Sequence, residues 1–501
     1  MRITVTRIIC QSFFVGLAVF LAAVTQFGYL RGYPVSLFLQ LDPLVALATA
    51  ATTHRVYRGL IWALAIIAPG LLLGRFFCGW ICPFGALQQF VAWLGGGGRR
   101  TAERIRRNLP RPQFATKYYL LAGMAGAALV GSLQVGLLDP LCTLFRSFTL
   151  AVLPLADSAS GHLHVRPHVQ QSAWLVGALL FFVLSLSLAF PRHFCRAWCP
   201  LGALLGLLAR FSLWRIHRDP DACVHCDLCV ANCQGAADPH ARLRKAECFL
   251  CMECVQRCPH GALSLRFLPE PDGEVTYPQA DGRRAALAAL AGLLLAGWTR
   301  RSAHVDDPRP ALIRPPGALA ESAFLERCIK CEQCVRVCPT NVLQPALSEA
   351  GLEGLWTPVL KMRVGYCELN CTLCGQVCPT GAIAPLSVAQ KLGTGPYAEQ
   401  GPVRTGTAFY DRGRCLPWAM DTPCVVCEEV CPTSPKAIYT RREQTVNRRG
   451  EPVWLQRPYV DPDRCIGCGI CQHECPVKDR AAIRVTAIGE TRSPGSGLLL
   501  R

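Results

Sequence analysis

Cysteines recur along this chain in groups of four. They are Cys223, Cys226, Cys229 and Cys233; Cys248, Cys251, Cys254 and Cys258; Cys328, Cys331, Cys334 and Cys338; Cys367, Cys371, Cys374 and Cys378; Cys415, Cys424, Cys427 and Cys431; and Cys465, Cys468, Cys471 and Cys475. Three thiolates at C-x2-C-x2-C wrap one face of a [4Fe–4S] cubane in a tight loop. A fourth, three residues on and usually before Pro, starts a helix and reaches the neighbouring cluster. Cys233 is followed by Gln234 where the other five groups have Pro, and the first gap is lengthened between Cys367 and Cys371 and between Cys415 and Cys424. Exchange of the fourth ligand predicts that Cys223, Cys226 and Cys229 share a cluster with Cys258, and Cys248, Cys251 and Cys254 with Cys233. The same exchange is expected between Cys338 and Cys378 and between Cys431 and Cys475. Six such sites imply conduction of single electrons.

Structural zinc also uses C-x2-C pairs, but the repeated third and fourth cysteines with Pro argue against it. A disulfide framework fails because cysteines three apart on short loops bridge poorly. The sequence has no C-x-x-C-H haem signature and no G-x-G-x-x-G opening a helix after a strand, and Gly95–Gly98 reads as a flexible loop. That leaves a lipid-soluble donor or a protein partner rather than nicotinamide or flavin.

The rest of the chain must position these sites. A formal charge of +18 could suggest nucleic acid, yet six [4Fe–4S] cores with their thiolates would cancel about −12 of it. With 51% hydrophobic residues and a positive mean hydropathy, the chain reads as a membrane protein that binds no nucleic acid. Apolar runs at about Ile8–Leu30, Leu60–Phe77, Tyr118–Leu138 and Ala173–Phe190 predict four spans. The loop holding Arg99, Arg100, Arg104, Arg106, Arg107, Arg111 and Lys117 should be cytoplasmic.

Those runs contain a duplication. Leu41-Asp42-Pro43-Leu44 matches Leu138-Asp139-Pro140-Leu141, and the C-x3-C-P at Cys78 and Cys82 matches that at Cys195 and Cys199. A two-helix unit therefore occurs twice, with Asp-Pro-Leu at the outer face and C-x3-C-P at the inner face. Thiols at i and i+4 share one helix face. The four could ligate a metal, form a redox disulfide, border a quinone site, or let helix ends pack closely. Asp42 and Asp139 could take protons from a quinol or cap helices. His162, His164 and His168 belong to a solvated loop or a metal site, and Cys10 and Cys142 read as ordinary membrane residues.

Arg283 and Arg284 precede an apolar run, Ala285–Trp298, short for a span and suited to a signal-type segment. The pattern resembles a twin-arginine export signal without a convincing cleavage site. An uncleaved fifth span carrying residues after about 302 outside is favoured here; a short amphipathic or buried cytoplasmic helix is the alternative.

On these motifs, residues 1–270 resemble the NapH-type ferredoxins of periplasmic nitrate reduction, related to MauN and to NosR. Residues 281–490 resemble the NapG-type proteins, so the order suggests a NapH–NapG fusion. The resemblance implies a quinol dehydrogenase of the cytoplasmic membrane, with quinol as diffusible donor from the membrane quinol pool. Its electrons would pass to a periplasmic cytochrome or reductase, the nitrate reductase system above all. The expected fold is an α-helical membrane domain of four spans and a fifth, plus α+β bacterial-type ferredoxin modules with six [4Fe–4S] sites. Residues 1–215 form the membrane domain with Cys78, Cys82, Cys195 and Cys199 as cofactor-binding candidates. Residues 216–270 form a cytoplasmic two-cluster domain, 271–310 the linker, 311–490 a periplasmic four-cluster domain and 491–501 the tail. The rival class is a maturation or metal-handling factor of the CcoG type, whose members resemble only the first half.

Overall fold

The computed structural model describes residues 3–26, 28–30, 32–96, 99–160, 173–241, 243–268, 281–302, 309–446 and 449–493. His162, His164 and His168, Gly97 and Gly98, linker residues 271–280 and tail residues 494–501 lie outside the described residues.

Helices fill the first half. Those that frame the sites are α1 (Ile3–Val24), α2 (Pro43–Thr53), α3 (Leu64–Leu73), α4 (Pro83–Leu94), α5 (Thr116–Leu129), α6 (Pro140–Ser147), α7 (Ala173–Ala189) and α8 (Pro200–Ala209). Proline opens α2, α4, α6 and α8, where its missing N–H would be unpaired anyway and its fixed φ suits the first turn. Asp42 caps α2 by accepting from the amides of Leu44 (2.7 Å) and Val45 (3.2 Å). Asp139 caps α6 in the same way, accepting from Leu141 (2.9 Å) and Cys142 (2.8 Å). The duplication seen in sequence is thus a duplication of helix starts.

The expected four spans and the favoured fifth are corrected in number as well as in length. Among the described residues, only α1, at 22 residues, is long and apolar enough to cross a bilayer alone. The second apolar run holds Pro69 inside its helix and ends at Gly74, whose φ is 71°. The third stops at Leu129, ahead of Gly131 at φ 81°. The fourth, α7, has 17 residues, about 25 Å of helix against a hydrocarbon core of about 30 Å. Turn residues inside long apolar runs account for the shortfall.

A further long helix, α9 (Gly282–Ser302), lies along α5. A Cβ on Gly126 would overlap the Ala289 carbonyl, and one on Gly292 the Gly123 carbonyl, so the two backbones approach as glycine alone permits. Asp281 N–H donates to the Tyr119 hydroxyl at one end, and Arg300 donates to the Gly131 carbonyl at the other.

Short antiparallel pairs build the remainder. Strands β1 (Trp214–Arg218) and β2 (Leu263–Phe267) close the first cysteine-rich module. In the second, β3 (Leu343–Pro345) pairs with β4 (Pro358–Leu360), β5 (Thr407–Tyr410) with β8 (Ile483–Thr486), and β6 (Ile438–Val446) with β7 (Pro452–Val460). Two-stranded sheets with so little apolar backing are marginal by themselves.

The modules dock at different ends of the helical half. The first meets the C-x3-C-P end: Arg75 donates to Ala246 O (3.1 Å) and pairs with Glu247 (3.1 Å), Trp80 donates to Leu250 O, and Arg7 pairs with Glu253 (2.6 Å). The second meets the Asp-Pro-Leu end. There Arg146 donates to Lys330 O (3.3 Å) and covers Trp356 (4.3 Å), and Thr52 donates to Glu326 O (2.8 Å).

Candidate iron–sulfur array

Backbone conformation prepares the cysteine loops. In the four groups of regular spacing, the second residue after the first cysteine and the one after the second cysteine both take positive φ. These are His225 and Asp227, Leu250 and Met252, Lys330 and Glu332, and Gly467 and Gly469. Only the last pair are glycines; the other six hold a conformation costing about 1 kcal/mol or more each, which functional loops retain. Alternating right- and left-handed residues turn successive N–H groups inward, a concavity that suits anionic iron–sulfur cores.

Four thiols line each of five cavities of about 320 to 370 Å³. Cys223, Cys226 and Cys229 stand with Cys258; Cys328, Cys331 and Cys334 with Cys378; and Cys367, Cys371 and Cys374 with Cys338. Cys415, Cys424 and Cys427 stand with Cys475, and Cys465, Cys468 and Cys471 with Cys431. Cys233 lies within charge–charge range of Cys251, as do Cys248 and Cys254. Every fourth ligand has crossed to its partner group, and the donor set fits multiple [4Fe–4S] clusters. Burial pushes the Cys328 and Cys415 thiols up to about 12, so iron must displace their protons.

Hydrogen bonds reach several sulfurs. The Tyr410 hydroxyl stands 2.9 Å from Cys427 Sγ, and Lys391 Nζ donates to Cys367 Sγ (3.4 Å) while also holding the carbonyls of Glu368 and Cys371. Thr433 Oγ1 lies 3.4 Å from Cys431 Sγ and Thr340 Oγ1 3.6 Å from Cys338 Sγ. Sequence reading missed all four residues. The threonines had a signal, Cys-Pro-Thr after three groups; Lys391 and Tyr410 had none.

Beside the first group, His225 Nδ1 meets His240 Nε2 (2.8 Å), and His240 Nδ1 meets the Asp227 carboxylate (2.6 Å). Cys142 is buried between Asp139 and Cys331, so it stands beside the array rather than facing outward. Asp42 and Asp139 are both buried, and burial pushes both carboxyls above the usual carboxylate range.

Cys78, Cys82, Cys195 and Cys199 come together in one buried cluster. Arg75, three residues before Cys78, donates to Cys195 O (3.4 Å); Arg192, three before Cys195, donates to Cys78 O (2.7 Å). The halves are locked by reciprocal arginines.

With this geometry in view, similarity to known proteins is specific. A 4Fe-4S dicluster domain family matches residues 327–382 and 398–478, and a 4Fe-4S binding domain family matches residues 56–101 and 172–218. A second 4Fe-4S binding domain family matches residues 220–236. The methylamine utilization ferredoxin-type protein MauM of Methylorubrum extorquens is 35% identical over 204 residues, 40% of this chain and 84% of MauM. The ferredoxin-type protein NapG of Escherichia coli is 32% identical over 204 residues, 40% of this chain and 80% of NapG. The protein named "Putative electron transport protein YccM" of Escherichia coli is 29% identical over 242 residues, 47% of this chain, which spans 63% of YccM's length. No solved structure matches the chain significantly.

Proposed function

The chain belongs to the ferredoxin-type [4Fe–4S] proteins, and on that premise we propose that it is a membrane-held relay taking electrons from quinol to a respiratory reductase beyond the membrane. The observation that carries this reading is the array itself: crossed cysteine groups in two modules, docked on a helical half. Six [4Fe–4S] clusters are assigned to the 24 cysteines. A bound cluster supplies one-electron transfer without proton chemistry.

Apolar side chains of the helical half support contact with lipid. Phe13 on α1, Trp93 on α4, Trp174 and Phe181 on α7, and Leu294 and Trp298 on α9 are all exposed. Exposed apolar surface on that scale marks an interaction with a membrane or a protein. The order of parts, a NapH-like half before a NapG-like half, favours an acceptor on the far side of the bilayer from the first module. The resemblance of residues 281–490 to NapG-type proteins supports a nitrate reductase system as acceptor, and MauM's name leaves methylamine utilization as the competing pathway.

The test is anaerobic. A reduced menaquinol analogue is added to membranes containing the chain, and cluster reduction is followed by EPR and visible bleaching. Reduction spreading to most clusters at a useful rate is expected. Clusters that stay oxidised with quinol yet respond to dithionite would replace this reading with a protein donor or a maturation role.

A further inference from the structure

One face of the β6–β7 hairpin interleaves rings and guanidiniums. The register sets Tyr439 opposite Tyr459 and Arg441 opposite Arg457, and the two-residue period of a strand puts all four on the same side. Tyr439 and Tyr459 stack at 5.9 Å with 18° between their planes, and Trp418 meets Tyr459 edge-on at 5.6 Å. Arg441 covers both tyrosines (5.2 and 5.0 Å), while Arg412 and Arg457 cover Trp418 (4.4 and 4.6 Å). A guanidinium stacked on a ring is held in one plane and still presents its fork of N–H donors to a carboxylate.

The charges on this face lean one way. Its carboxylate, Glu443, is already engaged by Arg457 (3.4 Å) and by the Tyr459 hydroxyl. Arg412 and Arg441 are exposed and form no ion pair among the described residues. Across residues 411–457 eight basic residues stand against six acidic ones, so the local surplus is positive. A [4Fe–4S] core with its thiolates, about −2 when oxidised, would offset that surplus in sum, but it would sit enclosed while Arg412 and Arg441 face outward.

The face also has a fixed place in the array. Trp418 stands three residues after Cys415 and donates from Nε1 to the Pro458 carbonyl (3.3 Å), and Pro458 lines the Cys415 cavity. The helical half is met instead at the Cys328 site, through Arg146 and Lys330. A protein seated on the rings would therefore lie over a site other than the one that receives electrons from the helical half.

We propose that this face, built from Trp418, Tyr439, Tyr459, Arg412 and Arg441, docks an acidic electron-accepting protein over the Cys415 site. This role rests on the relay reading above. The reduced Cys415 cluster gives one electron to the oxidised cofactor of the docked protein; no bond forms or breaks and no proton moves. Tyr, Trp and Arg are the side chains that dominate binding at protein interfaces, and rings that pre-order the arginines reduce the entropy lost on docking.

The probe is a small soluble cytochrome c, used as the basic native protein and, with its lysines succinylated, as an acidic one. The full chain is purified anaerobically in non-ionic detergent, reduced with dithionite, desalted, and mixed with each form by stopped flow. The acidic form is expected to oxidise the chain about tenfold faster at low salt, an advantage lost in about 0.5 M salt. Arg412→Gln combined with Arg441→Gln should remove most of that advantage without moving the EPR midpoint of the Cys415 site. Arg442→Gln, on the opposite face of the hairpin, should keep it. Equal rates with the two forms, or a faster basic form, overturn the proposal without reference to any variant's folding. An advantage that the double variant retains, or a midpoint shift that accounts for the lost rate, overturns it as well. Preference for the acidic form in a chain that quinol does not reduce would sink the donor assignment and leave the docking surface standing.

Discussion

At the scale of single residues, the array is tuned by groups outside its ligands. Burial first, and the Cys427 charge second, push the Tyr410 hydroxyl well above its ordinary range, so it stays protonated and donates to the sulfur. A donor to a cluster thiolate favours the more negative, reduced state and raises the potential. Losing a hydrogen bond worth about 1 kcal/mol corresponds to about 40 mV for one electron. Tyr410→Phe is therefore expected to lower the midpoint of the Cys415–Cys475 site by about that amount in an EPR redox titration, the other signals staying in place. Lys391→Gln should shift the Cys367 site in the same direction and further, by about 65 to 130 mV, because a charge-assisted bond is lost. An unchanged midpoint in both variants would mean that these contacts only hold the loops.

Helices and loops differ in how far sequence foretold them. Gly126 and Gly297 both lie within apolar helices, yet a methyl at Gly126 would overlap Ala289 whereas one at Gly297 meets nothing within 4 Å. Gly126→Ala should destabilise the helical half by about 1 to 3 kcal/mol through overpacking, and Gly297→Ala should stabilise it by up to about 1 kcal/mol through helix propensity. Thermal unfolding followed by circular dichroism in detergent reads both. Equal effects would place α9 away from α5. The cysteine spacing made the ligand groups and their exchange legible, because three thiolates on one tight loop leave little conformational choice. Span lengths were not legible: hydropathy sums composition, while Gly74 and Gly131 end helices by adopting left-handed backbone. The reciprocal arginines were equally hidden, since nothing in the spacing shows that Arg75 and Arg192 each reach the other repeat's first cysteine.

At the scale of the whole molecule, the second module fixes an order. The Cys328–Cys378 site touches the helical half through Arg146 and Lys330. Cys338 and Cys378 exchange between it and the Cys367 site, so these two are neighbours. Cys367 N–H donates to the Cys468 carbonyl (2.8 Å), which places the Cys465–Cys431 site next. Arg363 braces that junction by donating to the carbonyls of Cys475 (3.1 Å) and Val477 (3.0 Å). Exchange of Cys431 and Cys475 then puts the Cys415 site last, under the β6–β7 hairpin, where Pro458 lines its cavity. A linear order makes the Cys465 site obligatory for anything beyond it. In the full chain carrying Cys465→Ser and Cys471→Ser, quinol should still reduce the Cys367 site while the Cys415 site stays oxidised, and dithionite should reduce both. The Tyr410→Phe shift identifies the Cys415 signal in such an experiment. Undiminished reduction of that signal by quinol would show that electrons enter the second module at its far end, and the direction of the relay would have to be reversed.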